Sequence, residues 1–213
     1  SILGPILLAC YVADVPLVIK SECLLFAEDV KLFNRIDCVL DCQQLQDDMD
    51  RLNEWSELWH LKLNPQKCSV ISFTLRKAPI SFTYSIGGDA LTRHEQIRDL
   101  GVILDSRLTF GPQVDAAMAK ANKMLGLLVR SMQLAHRNCK AKFNHKTIIA
   151  AYNAHVRSVM EYACVTWSGA AKTHLTRFER LQHRFLMWLS SKAENRCSSL
   201  SYQALLSHFK VQS

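Results

Sequence analysis

Two adjacent carboxylates, Glu28 and Asp29, stand between Glu22-Cys23-Leu24-Leu25 and Val30-Lys31-Leu32-Phe33. Two short runs rich in apolar residues around such a pair read as a β-hairpin with both acids at its tip. A solvated turn is the plain alternative, because Asp and neighbouring acids are common in turns of any protein. A second set lies near the other end of the chain. Arg177, Arg180 and Arg184 recur at spacings of three and four, on adjacent turns of one broad helical face, with Phe178, Leu181 and Phe185 turned toward a core. A guanidinium contacts phosphate through its forked head while its stem packs along the helix, so this face suits sequence-independent binding to duplex nucleic acid. Pairing with acids elsewhere, such as those of residues 37–60, or simple solvation would occupy the same residues differently.

Cysteine and histidine offer less. The eight cysteines, at positions 10, 23, 38, 42, 68, 139, 164 and 197, form no Cys-x-x-Cys pair, and none combines with the eight histidines at finger-like spacing. Zinc is not expected. The cysteines read as small buried hydrophobes in a reducing compartment, which makes an intracellular location, cytoplasm and/or nucleus, the expectation.

The elements that must position these residues come from a chain of 213 residues, 49% hydrophobic, long enough for one sizeable core or a domain with a smaller satellite. Seven glycines and five prolines are too few for a linker-rich or disordered chain. The net charge of +7 hides a division: residues 1–105 carry ten Lys/Arg against fifteen Asp/Glu, a net −5, and residues 106–213 carry sixteen against four, a net +12. A basic half of that size suggests a polyanionic partner; a solubilising surface is the alternative that charge alone leaves open. The apolar run Ile6 to Ile19 is broken by Asp14 and Pro16 and is too short to span a bilayer, and no basic segment precedes it as in a signal peptide. The start at Ser1, without Met and inside an apolar run, reads as a fragment boundary.

Local patterns place the elements. Residues 1–11 read as a buried helix ending near Asp14-Val15-Pro16. Asp37 is a fair N-cap for a helix to about His60, with Leu45, Met49, Leu52, Trp55 and Trp59 as its apolar stripe and a solvated acidic face. A strand follows Lys67-Cys68, Phe82 to Ile86 alternates as another, and Gly87-Gly88 permits a tight hairpin. A further strand runs from about Ile97 to Leu104, with Gly101 as a turn, a bulge or a close backbone approach. From Gly111 the pattern turns helical: Val114, Met118, Ala121, Leu125, Leu128 and Met132 form one stripe, and helices over about His145–Ala163 and Lys172–Ser190 follow.

The order of these segments resembles the palm and thumb of a reverse transcriptase from a non-LTR (LINE-type) retrotransposon. Phe26-Ala27-Glu28-Asp29 is similar to the family's aromatic-Ala-Asp-Asp box, with Glu28 in place of the first Asp. Ser1 and Gly4 resemble the tail of the box that binds the incoming nucleotide. Leu63-Asn64-Pro65-Gln66-Lys67-Cys68 resembles a palm motif whose lysine, here Lys67, approaches the nucleotide phosphates. Leu100-Gly101 resembles the turn that supports the primer's 3′ end. Glu161 to Ser168 and Arg177 to Leu186 resemble segments found after the polymerase core.

The resemblance implies an α+β fold: a partial palm over residues 1–105, an antiparallel sheet with packed helices, then an all-helical thumb-like region over 106–213. It implies RNA-directed DNA polymerisation on an RNA template and DNA primer with dNTPs and no membrane. Two magnesium ions about 3.5–4 Å apart would be held in part by Glu28 and Asp29. Another essential Asp of the family lies on a strand that would precede Ser1, so the chain as given is expected to be inactive. A non-catalytic nucleic-acid-binding helical module and a degenerate remnant without function are the competing readings.

Overall fold

Two stretches of local order, each with its own apolar clusters, make up the computed structural model, which describes residues 2–77, 79–139, 144–192 and 201–209. They divide between Ile97 and Arg98.

In the first unit, α1 (Leu3–Tyr11) and the single turn α2 (Val15–Val18) form from the apolar run, with Pro16 in the opening turn of α2. The expectation of a buried helix fails for α1, which buries no residue; Ile2, Leu3, Ile6 and Leu7 are more than half exposed. It is apolar on all sides, and Tyr11, which meets the Trp59 ring edge-on at 5.5 Å and donates to the Trp59 carbonyl, ties down its end. Burial starts at Val15 and Ile19.

Alternation builds the next ribbon. β1 (Glu22–Phe26) and β2 (Asp29–Phe33) pair antiparallel, with Glu22 opposite Phe33 and Phe26 opposite Asp29. Cys23, Leu25, Val30 and Leu32 share one face and pack on Val15, Ile19, Leu52 and Trp55, while Leu24, Phe26 and Phe33 lie exposed on the other.

Helix α3 (Val39–Leu58) carries that core and a second one. Its N-cap is Cys38 rather than Asp37; Asp41, one turn inside, accepts the Asp37 and Cys38 N–H groups at 2.8 Å each. Leu52 and Trp55 face the ribbon, and Cys42 and Met49 face Tyr84 and Ile86. The acidic face is not wholly solvated: Asp48 is fully buried.

The remaining strands are short. β3 (Ser69–Val70) pairs with β6 (Thr92–Arg93) in parallel, and β4 (Ser85–Ile86) with β5 (Asp89–Ala90) antiparallel around Gly87 and Gly88, whose φ values of 58° and 89° suit a two-residue hairpin. Among the described residues the strands form separate two-stranded pairs, one of them parallel, rather than one antiparallel sheet, and the mixture of helix and short strands is compatible with α+β. A side chain does part of a sheet's work here: the Gln46 amide donates to the Ser85 carbonyl and accepts its N–H, both at 2.9 Å.

β7 (Gln96–Asp99), within which the division falls, and β8 (Val102–Asp105) form a two-stranded sheet joined through Leu100 and Gly101, so the continuous strand expected there is a hairpin. Asp105 closes the approach to α4 (Gly111–Cys139): its carboxylate accepts the Thr109 and Phe110 N–H groups at 3.0 and 3.1 Å and the Thr109 hydroxyl at 2.7 Å. Burial acts to raise the Asp105 carboxyl, and these hydrogen bonds outweigh it and hold it below the usual range. The helix expected over 145–163 runs from His145 to Met160, as α5 (His145–Tyr152), a π-helical turn (Asn153–Arg157) and α6 (Ser158–Met160), and α7 (Cys164–Trp167) follows. α8 (Lys172–Lys192) and α9 (Tyr202–Phe209) complete the unit. The core joins Leu125, Ile148, Tyr152, Val156, Leu181, Phe185, Leu189 and Leu205, with the Tyr152 and Phe185 rings stacked at 4.0 Å.

Among the described residues no helix is long and apolar enough to cross a membrane. The cysteines depart from the buried expectation: Cys42 is buried, Cys23 and Cys68 are half-buried, and Cys10, Cys38 and Cys164 are exposed. Cys197 lies outside the described residues.

Candidate functional site

Both acids sit where the ribbon reverses. With Phe26 paired to Asp29, the loop is only Ala27 and Glu28, and Ala27 takes φ of 51°, in the left-handed region. Asp29 is therefore the first residue of β2, and strand alternation puts it on the exposed face with Phe26 and Phe33. Glu28 and Asp29 are both exposed, and neither side chain makes a hydrogen bond or ion pair with a described residue. The buried face of the ribbon fixes the pair from beneath.

Magnesium requires near-octahedral oxygen ligation at about 2.0–2.1 Å. The tip supplies two neighbouring carboxylates, and the described residues contain no group of three or more His, Cys, Asp or Glu placed to hold a metal ion.

Lys67 is exposed in the turn after Asn64, whose carbonyl accepts the Lys67 N–H at 3.0 Å and whose side chain accepts the Gln66 N–H at 3.1 Å. Gly4 lies in the first turn of α1, where an added Cβ would meet nothing within 4 Å, so packing does not demand glycine. Ser1 lies outside the described residues.

In the second unit, Leu100 and Gly101 form the two-residue turn between β7 and β8, with φ of 44° and 84°. The Tyr162 hydroxyl donates to the Leu100 carbonyl at 2.9 Å, and a Cβ on Gly101 would stand 3.1 Å from the Tyr162 ring and hydroxyl. The Trp167 indole N–H in turn donates to the Tyr162 carbonyl at 2.9 Å. Sequence reasoning singled out the segment holding Tyr162 and Trp167 but gave it no role, since nothing local announces a contact made 62 positions away.

The three arginines of α8 divide. Arg177 pairs with Asp115 at 2.6 Å, and Arg184 hydrogen-bonds the Asn122 side chain, both partners lying on α4. Arg180 is exposed and has no such partner among the described residues. The acid that Arg177 meets within its own unit is Asp115. Its signal was in the sequence, since Asp115 and Asn122 stand seven apart, as Arg177 and Arg184 do. Lys120, Lys123 and Arg130 are exposed on other faces of α4.

No protein-family model and no solved structure matches the chain. Curated relatives do. The chain is 30% identical over 194 residues, 86% of its length and 21% of the relative's, to the probable RNA-directed DNA polymerase from transposon BS of Drosophila melanogaster. It is 29% identical over 201 residues, 89% of its length and 21% of the relative's, to the RNA-directed DNA polymerase from mobile element jockey of Drosophila funebris. With the probable RNA-directed DNA polymerase from transposon X-element of Drosophila melanogaster it shares 28% identity over 194 residues, 86% of its length and 20% of the relative's. The chain spans about a fifth of the length of these relatives. Along most of its length the chain is thus similar to one stretch of the RNA-directed DNA polymerases of non-LTR retrotransposons, the family its motifs resemble in their order.

Proposed function

We propose that this chain is a polymerase segment, residues 1–105 contributing the later part of a palm and residues 106–213 a thumb-like region. Its working partners are an RNA template, a DNA primer and dNTPs. The observation that carries this reading is the β1–β2 hairpin: an exposed Glu28-Asp29 tip on a ribbon whose opposite face is anchored to α2 and α3. In this reading the tip contributes carboxylates to a magnesium site, Lys67 approaches the nucleotide phosphates, and Leu100-Gly101 lies beside the primer end. In this reading the chain alone does not extend a primer, because Glu28 replaces the box's first Asp. A misplacement of about 1 Å at a reacting centre costs on the order of a hundredfold in rate, and Glu28 adds one carbon to the box's first acid. A primer-extension assay with the purified chain, magnesium and dNTPs is expected to give no product. Extension that disappears with Asp29→Ala would overturn the reading of an inactive segment.

A second reading needs only the basic unit: a helical module that holds a duplex by its phosphates without catalysis. Exposed Lys120, Lys123 and Arg130 on α4, with Arg180 on α8, favour it. It predicts duplex binding whose affinity falls linearly with salt on logarithmic axes, by about 0.9 per phosphate contact, and that persists when Glu28 and Asp29 are both changed to Ala.

A further inference from the structure

We propose that Tyr162 is a positioning residue that sets the Leu100–Gly101 turn for a primer terminus; this rests on the polymerase reading above and gives the Glu161–Trp167 segment its role. The turn needs help. Two consecutive residues at positive φ make the tight hairpin geometry that Asn-Gly or Gly-Gly adopts readily, and here the first is Leu100 at φ 44°, a conformation that an ordinary side chain takes at a cost. Backbone held in such a region persists where its surroundings over-determine it. Tyr162 supplies those surroundings from 62 positions further along the chain. Its hydroxyl holds the Leu100 carbonyl at 2.9 Å, and its ring lies so close over Gly101 that a Cβ would approach it to 3.1 Å. Glycine suits position 101 because of its φ of 84°, and a Cβ there would also push the Tyr162 ring aside by a few tenths of an ångström.

Tyr162 is itself clamped. Buried Trp167, 5% exposed, donates its indole N–H to the Tyr162 carbonyl, and Ala163 at φ 51° turns the chain between them, with the Cys164 N–H closing on the Glu161 carbonyl at 3.1 Å. This clasp stands just past a π-helical turn, the kind of helix interruption that recurs where geometry is set for function. Tyr162 and Leu100 nevertheless stay 54% and 43% exposed. The ring and the turn therefore remain partly exposed to solvent.

The test uses the whole chain bound to a primer–template duplex carrying 2-aminopurine at the primer 3′ end or at an internal position. Wild type is expected to change the terminal fluorescence and not the internal one. Tyr162→Phe keeps the ring and loses only the hydrogen bond, so the fold and the overall duplex affinity should hold. Exchange of the amides of residues 100–102 should then quicken by about two- to tenfold, the span that one lost hydrogen bond gives, and the terminal signal should shrink with it. A faster exchange with an unchanged terminal signal would reduce Tyr162 to a structural contact and overturn the proposal, as would an unchanged exchange rate. A wild type that binds but leaves the terminal probe silent would overturn it too. A wild type that binds no duplex would instead overturn the polymerase reading on which the role depends.

Discussion

Arg177 pairs with Asp115 at 2.6 Å, and seven residues further along each helix Arg184 meets Asn122, so both contacts span the same 62 positions. Seven residues are two turns, about 10.5 Å on either helix, so α4 and α8 run in the same sense where they touch and share one register. Two of the three arginines that suit a phosphate surface therefore also join the helices. Both pairs are at the surface, with Asp115 65% exposed, which keeps their individual contribution small.

The α8 arginines should separate by function when changed singly. Arg177→Gln is expected to lower stability by about 0.2–1 kcal/mol in a urea titration and to leave the salt slope of duplex binding nearly unchanged. Arg180→Gln is expected to do the reverse, flattening that slope by up to about 0.9 with stability unchanged. Equal effects on both quantities from the two variants would remove the distinction.

Catalysis should not return with one carbon. Glu28→Asp restores the box's first acid, but the described residues supply no third ligand beside it, so neither wild type nor Glu28→Asp should extend a primer in magnesium. Product from Glu28→Asp alone would mean that the tip completes its site without further residues. The tip's backbone offers an independent check. Ala27 at φ 51° should tolerate glycine, whereas Ala27→Val should destabilise by about 1–2 kcal/mol in thermal unfolding, because a branched side chain resists the left-handed region.

Features written in neighbouring residues were legible in the sequence. Alternation from Glu22 to Phe33 marks the ribbon and its buried face, Gly87-Gly88 marks a hairpin, and the stripe from Val114 to Met132 marks α4. Features decided by distant partners were not. Apolar α1 reads as buried because hydrophobicity says that a segment seeks cover, not that cover is present. Nothing in the run from Cys68 to Phe73 says that only Ser69 and Val70 pair, and in parallel with Thr92 and Arg93. The π-helical turn at Asn153–Arg157 leaves helical periodicity nearly intact, and α9, whose Leu205, Leu206 and Phe209 enter the core, is too short for its stripe to stand out. For the candidate site, the acids could be put on the hairpin by pattern, whereas Tyr162 over Gly101 needed coordinates.

The stacked pair in the helical core gives a test of opposite signs. Phe185 is fully buried against Tyr152, so Phe185→Ala should cost about 3–5 kcal/mol. The Tyr152 hydroxyl, also buried, finds no hydrogen-bond partner among the described residues, and burial pushes its pKa well up. Tyr152→Phe removes that group while keeping the stack, and should be neutral or raise stability by up to about 1 kcal/mol. A loss above about 1 kcal/mol in denaturant unfolding would show that the hydroxyl has a partner in solution.

Asp48 is the acid whose protonation should be felt in stability. It is fully buried on α3, yet its two oxygens accept the Lys20 N–H at 2.9 Å, the Ser21 N–H at 2.8 Å and the Arg51 guanidinium. Burial acts to raise the carboxyl; hydrogen bonds from Ser21 and Lys20 and the Arg51 charge together outweigh it, leaving the pKa below its ordinary 3.8. A carboxyl depressed by folding contributes stability that is complete above that ordinary, unfolded value and is lost as pH falls through the folded value. Asp48→Asn would turn one acceptor into an NH2 group facing a donor, leaving a buried N–H unsatisfied at a cost of about 1–3 kcal/mol. The variant should therefore be less stable than wild type at pH 7, with the difference shrinking below about pH 4 as the wild-type carboxyl takes up its proton. Urea titrations of both proteins from pH 7 down to pH 3 measure this directly. A difference that stays constant through that range would mean that Asp48 acts through shape rather than charge.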